Sequence, residues 1–454
     1  MRRHERRPSS RRVGIAATSL LALALSAVAI TPSSAASDPL EPVAEEMRRI
    51  LSRPVAADEV EDGRKALRRP DAPTEEVEDY LRQAEAAGVL LAALEPIIGA
   101  DSFGGVRLDL EARLIEVSVP DSAAAGLGRR LTTVLPAVEV RRVPNSMQSL
   151  RATHAHVVES LPRLEAASVV VATVGEAVES NRVRVEVESP VGDAEAALRD
   201  IMPGHLPRVE VAAGQRPSPA VCLARDACPA NVTVTGTTIP GSAIDEVLRG
   251  GIQLTGGGFR CTSGFAARRN SDNRVTLLTA GHCFDVGVRV SHGAVGRIGT
   301  VSTAVFGGSA VRDGGMVLLE DNQTYRWVQN NLVFTDFNMA QQVTQVYPRT
   351  GGSQAVNAPM AKDGDTTGTT SGLVLRTGIT VMTVDGDTLT NATETTVCAE
   401  PGDSGGAVRW ENVAHGIVSL SALTPQGRCV SNPRMYFNTA GDIEVAVGAT
   451  IYES

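Results

Sequence analysis

The chain is poor in aromatic residues and in lysine, and both shortages limit its possible partners. Aromatics make up 3% of the 454 residues, and Lys65 and Lys362 are the only two lysines. Scarce aromatics leave few platforms for stacking nucleic-acid bases, and a net charge of −9 opposes binding to a phosphate backbone. After residue 36 no stretch is long and apolar enough to cross a bilayer. We therefore expect no nucleic-acid partner and, in the exported chain, no membrane partner.

Residues 1–36 have the composition of an export signal peptide. Six arginines lie among the first twelve residues, residues 13–30 form an apolar run, and residues 33–36 offer the small side chains of a cleavage site. A membrane-anchoring helix is the alternative, but the run is short and contains serine and threonine. The pattern predicts that the segment is removed and that the protein is secreted to the extracellular space.

Six cysteines in an exported chain indicate disulfide bonds, and six cysteines allow fifteen pairings. In chain order they are Cys222, Cys228, Cys261, Cys283, Cys398 and Cys429. Cys261 and Cys283 flank the stretch that leads to a histidine, the last two flank a glycine-rich serine segment, and the first two remain as a close local pair. No C-x-x-C spacing of a zinc site is present, so we expect neither a metal nor another cofactor.

The composition changes near residue 250. Residues 37–213 are rich in Glu, Arg and Ala and contain two copies of a strand–helix–strand pattern, at 113–140 and 182–211. Residues 214–247, with prolines, small residues and the Cys222/Cys228 pair, are typical of a linker. In residues 248–454, short β-rich runs alternate with Gly, Asn and Asp, which predicts an all-β barrel or sandwich. We expect an α+β region followed by an all-β domain.

Two short runs carry chemistry: Leu278–Cys283, which contains His282, and Pro401–Gly406, which contains Ser404. Serine is inert at neutral pH unless a base takes its proton as it attacks, and histidine is the usual base. The glycines beside the serine allow a tight turn that brings backbone N–H groups close to a developing oxyanion.

A third residue must orient the imidazole, and Asp313 is the best candidate because it precedes an apolar strand and lies between the other two. The order His, Asp, Ser is that of chymotrypsin-like enzymes. Asp285 and Asp321 compete for the role, but the first is too near His282 in sequence and the second follows its strand.

Residues 248–454 resemble the streptogrisin and α-lytic endopeptidase branch of the chymotrypsin-like serine proteases. The motifs that carry the resemblance are Arg249–Gly251, Cys261–Phe265, Thr279–Cys283, Thr366–Gly372 and Cys398–Gly406. The resemblance implies a double β-barrel with the active cleft between the barrels. It also implies that residues 37–213 are a pro-region that assists folding, inhibits the enzyme and is then cut away.

The resemblance assigns a role to each candidate residue. His282 is the general base, Asp313 orients it and Ser404 is the nucleophile, with the oxyanion hole formed by the N–H groups of Gly402 and Ser404. Substrate would bind along the strand that carries Ser419, Leu420 and Ser421, where relatives often have glycines in place of the last two. The implied disulfides are Cys261–Cys283 and Cys398–Cys429, which leaves Cys222–Cys228 as the third pair.

Two further expectations follow from the resemblance. Asp403 needs a partner if it is buried, and Lys362 holds the position of that partner, so we hypothesise that they form an ion pair. The start of mature relatives places the maturation cut near Leu248–Gly250, and the extra segment with two cysteines makes a cut nearer residue 230 the alternative.

The predicted function is that of a secreted serine endopeptidase made as a zymogen. Its expected partners are polypeptide substrates and its own pro-region, and a monomer is expected. Two alternatives remain at this stage. One is a catalytically weak, protease-like binding module, and the other is an esterase that uses the same triad, although Ser404 lies outside a Gly-x-Ser-x-Gly elbow.

Overall fold

The computed structural model describes residues 38–220, 222–223, 231–234, 237–240, 249–292, 296–307, 312–320, 332–334, 340–349 and 354–453. The predicted export signal, residues 1–36, lies outside these ranges. Residues Pro39–Ser454 form one unit, in which an amino-terminal region (residues 39–213) packs against a carboxy-terminal domain (residues 249–453). Within the described ranges no helix combines the length and the apolar character that crossing a membrane requires.

The amino-terminal region contains all but one of the described α-helices and begins with three of them. Its helices are α1 (Glu41–Leu51), α2 (Ala57–Leu67), α3 (Thr74–Ile98), α4 (Leu127–Val134), α5 (Met147–Glu159), α6 (Leu161–Ala166) and α7 (Val191–Ile201). Pro73 precedes α3, as the sequence predicts, and Glu75 and Glu76 lie in its first turn, where the helix dipole favours negative charge. The buried face of α3 includes Leu81 and Leu90.

Both predicted strand–helix–strand units are present in this region. Its strands are β1 (Gly105–Asp109), β2 (Leu114–Pro120), β3 (Val138–Val143), β4 (Val171–Ala177), β5 (Arg182–Val187) and β6 (Val209–Ala213). In the first unit β1 and β2 form an antiparallel hairpin, and α4 returns the chain to β3, parallel to β2. In the second unit β4, β5, α7 and β6 repeat the same topology.

The carboxy-terminal domain is built from strands, as predicted. The strands after residue 213 are β7 (Ser218–Pro219), β8 (Cys222–Leu223), β9 (Asn231–Val234), β10 (Thr237–Pro240), β11 (Gln253–Gly256), β12 (Phe259–Thr262), β13 (Ala266–Arg269), β14 (Val275–Thr279), β15 (Arg289–His292), β16 (Gly296–Val305), β17 (Gly314–Leu319), β18 (Leu332–Phe334), β19 (Ala340–Gln342), β20 (Gln345–Val346), β21 (Pro359–Gly364), β22 (Gly368–Met382), β23 (Thr388–Thr395), β24 (Ala407–Trp410), β25 (Val413–Leu423), β26 (Cys429–Thr439) and β27 (Ala449–Ile451). Helix α8 (Ala440–Val447) lies between the last two strands.

Two sheets divide the domain. The first has the order β27-β13-β14-β17-β16-β15-β11-β12-β8. The second runs β21-β24-β25-β26-β23-β22, and a further pairing of β21 with β22 closes these six strands into a barrel. Each sheet has an apolar core, one around Leu277 and Val317 and the other around Val418 and Phe437. The first core also contains Ala407, Ala414 and Ile417 of the second sheet, so the two sheets pack against each other.

The amino-terminal region is joined to the second barrel by sheet pairing. Strand β4 lies antiparallel to β22, with Val174 opposite Thr380 and Thr173 opposite Val381, so that β4, β5 and β6 extend the barrel sheet.

The described part of the segment predicted as a linker contains short strands. Strand β7 pairs with β25 of the second barrel, and β8 pairs with β12 of the first sheet. The chain therefore contacts both sheets within six residues, 218–223.

Candidate active site

His282 lies in a single 3₁₀ turn, Gly281–Cys283, directly after β14. The turn is anchored on both sides. Cys283 forms a disulfide with Cys261 of β12, and Thr279 donates its hydroxyl hydrogen bond to the carbonyl of Thr262, 2.9 Å. Because the sheet fixes its neighbours, the imidazole is held without dependence on a long flexible loop.

The structure brings His282, Asp313 and Ser404 together from three distant segments. His282 Nδ1 lies 2.7 Å from Asp313 Oδ2, and His282 Nε2 lies 2.7 Å from Ser404 Oγ. Since a carboxylate only accepts hydrogen bonds, Nδ1 carries the proton and Nε2 is free to accept from the serine hydroxyl. The ring of Phe306 packs edge-on against the imidazole, with the ring centres 5.2 Å apart. Asp285, one competitor of Asp313, is exposed, and Asp321 lies outside the described residues.

Asp313 is 1% exposed, so its charge needs compensation. Its Oδ1 accepts the backbone N–H groups of Gly281 at 2.6 Å and His282 at 3.2 Å. The hydroxyl of Ser419 donates to its Oδ2, beside the imidazole. The N–H of Asp313 itself donates to Asn438 Oδ1, 3.0 Å. These bonds stabilise the carboxylate and fix its orientation toward the imidazole.

The serine loop requires glycine at two positions. Gly402 and Gly405 have φ values of +106° and +85°, which side chains with a Cβ rarely adopt. A Cβ on Gly402 would lie 2.2 Å from Thr366 Oγ1, and one on Gly405 would lie 2.0 Å from Thr279 Oγ1. This conformation points the N–H groups of Gly402 and Ser404 at a single point.

The carbonyl oxygen of Ala220 occupies that point. It accepts the N–H of Gly402 at 2.7 Å and the N–H of Ser404 at 3.2 Å. These two donors are the N–H groups that the sequence predicted for the oxyanion hole. Sequence reasoning missed Ala220, because a short run of serine, proline and alanine has the composition of a linker.

The predicted substrate-binding residues Ser419, Leu420 and Ser421 lie on β25, beside residues 218–220. The carbonyl of Ser419 accepts the N–H of Ala220 at 3.3 Å. In the β25–β7 register Leu420 lies opposite Pro219, and Ser421 lies opposite Ser218. Ser419 therefore makes two contacts: its carbonyl binds Ala220 and its hydroxyl binds Asp313. Nothing in the sequence indicated the second contact.

Lys362 and Asp403 form the hypothesised ion pair. Lys362 Nζ lies 3.2 Å from Asp403 Oδ2, and both side chains are fully buried. The carboxylate also accepts the backbone N–H groups of Thr366 and Thr367 at 2.9 and 3.1 Å, and the N–H of Glu400 at 3.0 Å. Asp403 is therefore tied to several segments of the second barrel, which fixes the loop that carries Gly402 and Ser404.

A second buried carboxylate lies close to this network. Burial raises the pKa of Asp365 to about 6, and the charge of Asp403 adds to the rise, while a hydrogen bond from Gln253 and the charge of Arg260 oppose it. Arg260 Nε lies 3.3 Å from Asp365 Oδ2. Arg260 stands on β12 opposite Cys222, so this pair flanks the chain just beyond Ala220.

Two of the predicted disulfides are present in the structure. Cys261 is bonded to Cys283 and Cys398 to Cys429. The second bond connects the segment before the serine loop to the start of β26. The third predicted pair, Cys222–Cys228, involves Cys228, which lies outside the described residues.

The family model described as Trypsin matches residues 249–439. Streptogrisin-C of Streptomyces griseus is 30% identical over 223 residues, and the match covers 49% of this chain and 45% of that protein, so the chain spans less than half the length of this relative. Streptogrisin-D of the same organism is 27% identical over 371 residues, which cover 81% of this chain and 80% of that protein. Serine protease 2 of Streptomyces fradiae is 32% identical over 170 residues, covering 36% of this chain and 87% of that protein.

Proposed function

Because the chain belongs to the trypsin family of serine proteases, in the streptogrisin branch, we propose that it is a secreted serine endopeptidase made as a zymogen. His282 is the general base, Asp313 orients it and Ser404 is the nucleophile. The observation that carries the proposal is the continuous row of hydrogen bonds from Asp313 through His282 to Ser404, each 2.7 Å long. Two backbone donors converge beside this row on one carbonyl oxygen.

In the first half of the reaction, Ser404 Oγ attacks the carbonyl carbon of a peptide bond and its proton passes to His282 Nε2. The imidazole becomes a cation, and the Asp313 carboxylate stabilises it through Nδ1–H. Negative charge develops on the carbonyl oxygen and is met by the N–H groups of Gly402 and Ser404. His282 then protonates the leaving amine as the peptide bond breaks.

In the second half, a water molecule attacks the acyl group on Ser404. His282 accepts its proton and returns one to Ser404 Oγ as the new carboxylic acid leaves. The fixed tautomer of His282 serves both halves, because Nε2 alternates between accepting and donating while Nδ1 stays bonded to Asp313. Polypeptides are the proposed substrates.

The amino-terminal region is the proposed pro-region, acting as a folding aid and an inhibitor. Barrels made of distant strand pairings fold slowly, since long loops must close before their contacts form. Strand β4 binds the edge of β22, and helix α2 packs on the same strand, so the region can hold the second barrel together. Secretion rests on residues 1–36, and a monomer is the proposed state of the mature enzyme.

The nucleophile is tested by Ser404→Ala. We expect the rate of peptide hydrolysis to fall roughly a million-fold, since loss of the nucleophile leaves only binding and the oxyanion hole. The matched control is Ser431→Ala, because Ser431 is an exposed serine of β26. Its rate is expected to stay at that of the unaltered enzyme. Normal hydrolysis by Ser404→Ala would contradict the assignment.

The two alternatives are separated by probes. A fluorophosphonate that labels Ser404 would exclude a non-catalytic binding module, because labelling requires an activated hydroxyl. Matched peptide and ester substrates distinguish a peptidase from an esterase. An enzyme that hydrolyses only the ester would contradict the endopeptidase proposal.

A further inference from the structure

Residues 215–220 and 222–223 lie along the proposed active site in the manner of a bound peptide. Gln215 Nε2 donates to the carbonyl of Leu423 at 3.0 Å, and the carbonyl of Pro217 accepts the N–H of Val384 at 3.1 Å. Strand β7 then pairs with β25, and β8 pairs with β12. Sheet pairing on both sides therefore fixes the chain before and after Ala220.

Pro219 fits this arrangement without leaving a donor unpaired. Antiparallel strands bond alternate residues, and the N–H of Ala220 donates to Ser419. Pro219 comes between Ala220 and Ser218, at a position where no N–H is needed, so its lack of one has no cost. The sequence Ser218-Pro219-Ala220 is thus compatible with the register that places the Ala220 carbonyl between its two donors.

The side chain of Ala220 is small and fully enclosed. Ala220 is 0% exposed and belongs to the apolar cluster that contains Ala399, Val418 and Met435. Leu420 and Ser421, on the strand that pairs with this segment, are both fully buried. In a close-packed interior, added carbon atoms would force neighbouring groups to move. The surroundings of Ala220 therefore favour a methyl group over a long or charged side chain.

We propose that the enzyme cleaves its own chain between Ala220 and Val221, and that it prefers substrates with a small apolar residue, such as alanine, before the scissile bond. The inference rests on the function proposed above. Ser404 Oγ forms a bond to the Ala220 carbonyl carbon, the bond from that carbon to the nitrogen of Val221 breaks, and His282 gives that nitrogen a proton. Water then releases Ala220 as a carboxylate.

This bond differs from the one that the resemblance indicated, near Leu248–Gly250. At that location the N–H of Gly251 donates to the carbonyl of Ser263 at 2.7 Å, and the carbonyl of Arg249 accepts the hydroxyl of Ser263 at 2.6 Å. Residues 249–251 are therefore bonded to the first sheet, whereas Ala220 is bonded to Gly402 and Ser404. A cut after Ala220 leaves residues 221–248 on the mature enzyme.

The bond is tested first by the masses of the two products from the full-length chain. The released amino-terminal fragment is expected to end at Ala220, and a fragment that ends elsewhere would overturn the assignment. Ala220→Arg should slow this cleavage at least ~100-fold, whereas Ala220→Ser should retain it. Ala213→Arg is the control, because Ala213 is exposed at the end of β6 and should not affect the rate. Cleavage of Ala220→Arg at the unaltered rate would also overturn it.

The preference is tested on the mature enzyme, so that it does not depend on the folding of any variant. Aminocoumarin substrates with the sequence Ser-Pro-Xaa are compared, where Xaa is Ala, Phe, Arg or Glu. We expect kcat/KM for Ala to exceed each of the others at least ~10-fold. A higher value for Phe, Arg or Glu would refute the preference while leaving the endopeptidase proposal intact. Failure to hydrolyse any substrate or to react with a fluorophosphonate would instead overturn the proposed function, and this inference with it.

Discussion

The two strand–helix–strand units of the amino-terminal region share one topology and attach to the barrel in different ways. In both, an antiparallel hairpin is followed by a helix and a parallel third strand. Among the described residues, the outer edge of β1 makes one isolated bridge, from Arg107 to Val356. The outer edge of β4 pairs with β22 and becomes part of the barrel sheet. The first unit is thus attached to the barrel by packing, and the second unit extends the barrel sheet.

The edge strands explain the difference. In β1, Arg107 and Asp109 are partly exposed and bond to each other at 3.0 Å, and charge of this kind protects an edge against further pairing. Strand β4 is buried along its whole length, and it contains Gly175, which lies against Ile379 of β22. The first unit relies more on apolar packing, since its core is continuous with helices α1 to α3 and with Met360 of the barrel.

The largest expected effect comes from closing the space that β4 and β22 share. A Cβ on Gly175 would lie 2.2 Å from Ile379 Cγ2 and 3.2 Å from its Cα, so a larger side chain must push the strands apart. Gly175→Val should lower the free energy of unfolding by about 3 kcal/mol. The measurement is chemical denaturation of the full chain in a Ser404→Ala background, which keeps it uncleaved. Loss of amide protection in β22 would locate the effect.

The control for this variant is Gly192→Ala in α7 of the same unit. A Cβ on Gly192 would meet no atom within 4 Å, and alanine is the better helix former. This variant is therefore expected to be neutral or slightly stabilising. If Gly175→Val unfolds at the same denaturant concentration as Gly192→Ala, close pairing of β4 with β22 does not contribute to attachment.

The sequence predicted local features well because each depends on nearby residues. His282 and Ser404 stand in distinctive glycine-containing turns, and both strand–helix–strand units show alternating valines. Strand β22 spans fifteen residues, and the sequence carries no comparable signal for its full length. Arg376, a charged residue buried in its middle, interrupts the apolar alternation, and its partners come from distant strands.

The contacts of the amino-terminal region had no comparable signal. Edge pairing of β4 with β22 joins residues about 200 positions apart, and neither strand specifies a partner by composition. The segment at 218–223 was assigned to a linker because proline and small residues are typical of one. The strands at 218–219 and 222–223 form by pairing with β25 and β12, so the surrounding domain, rather than local propensity, determines them.

An intermediate effect is expected from the ion cluster beside β4. Arg376 Nη2 lies 2.8 Å from Glu186 Oε2 of β5, and Arg376 Nε lies 2.6 Å from Glu394 Oε2. Burial alone would lower the pKa of Arg376, but the charges of Glu394 and Glu186 outweigh it and raise the pKa above its usual value. Glu186→Gln removes one of the two carboxylates from a cation that is 4% exposed.

We expect Glu186→Gln to lower the free energy of unfolding by about 2 kcal/mol, as for loss of a buried charged hydrogen bond. The control is Glu210→Gln, since Glu210 pairs with Arg184 on the same sheet but both side chains are more exposed. Its effect should stay below about 0.5 kcal/mol. Equal losses in the two variants would show that the buried cluster adds nothing to attachment of the second unit.

The smallest effect is expected where the amino-terminal helices contact the barrel. The stability contributed by this contact should depend on pH. Burial raises the pKa of Glu411 to about 7, Glu59 adds to the rise, and Arg53 opposes it. Between its ordinary value of 4.5 and about 7, the folded chain binds a proton at Glu411 that the unfolded chain has lost. Stability therefore falls as pH rises through this window and levels off above it.

Glu411→Gln should reduce the loss of stability between pH 5 and pH 8 by less than about 1 kcal/mol, because partial exposure screens the charge. Denaturation midpoints at both pH values provide the measurement, with Glu159→Gln, an exposed site, as the control. An undiminished loss in Glu411→Gln would assign the pH dependence to other groups.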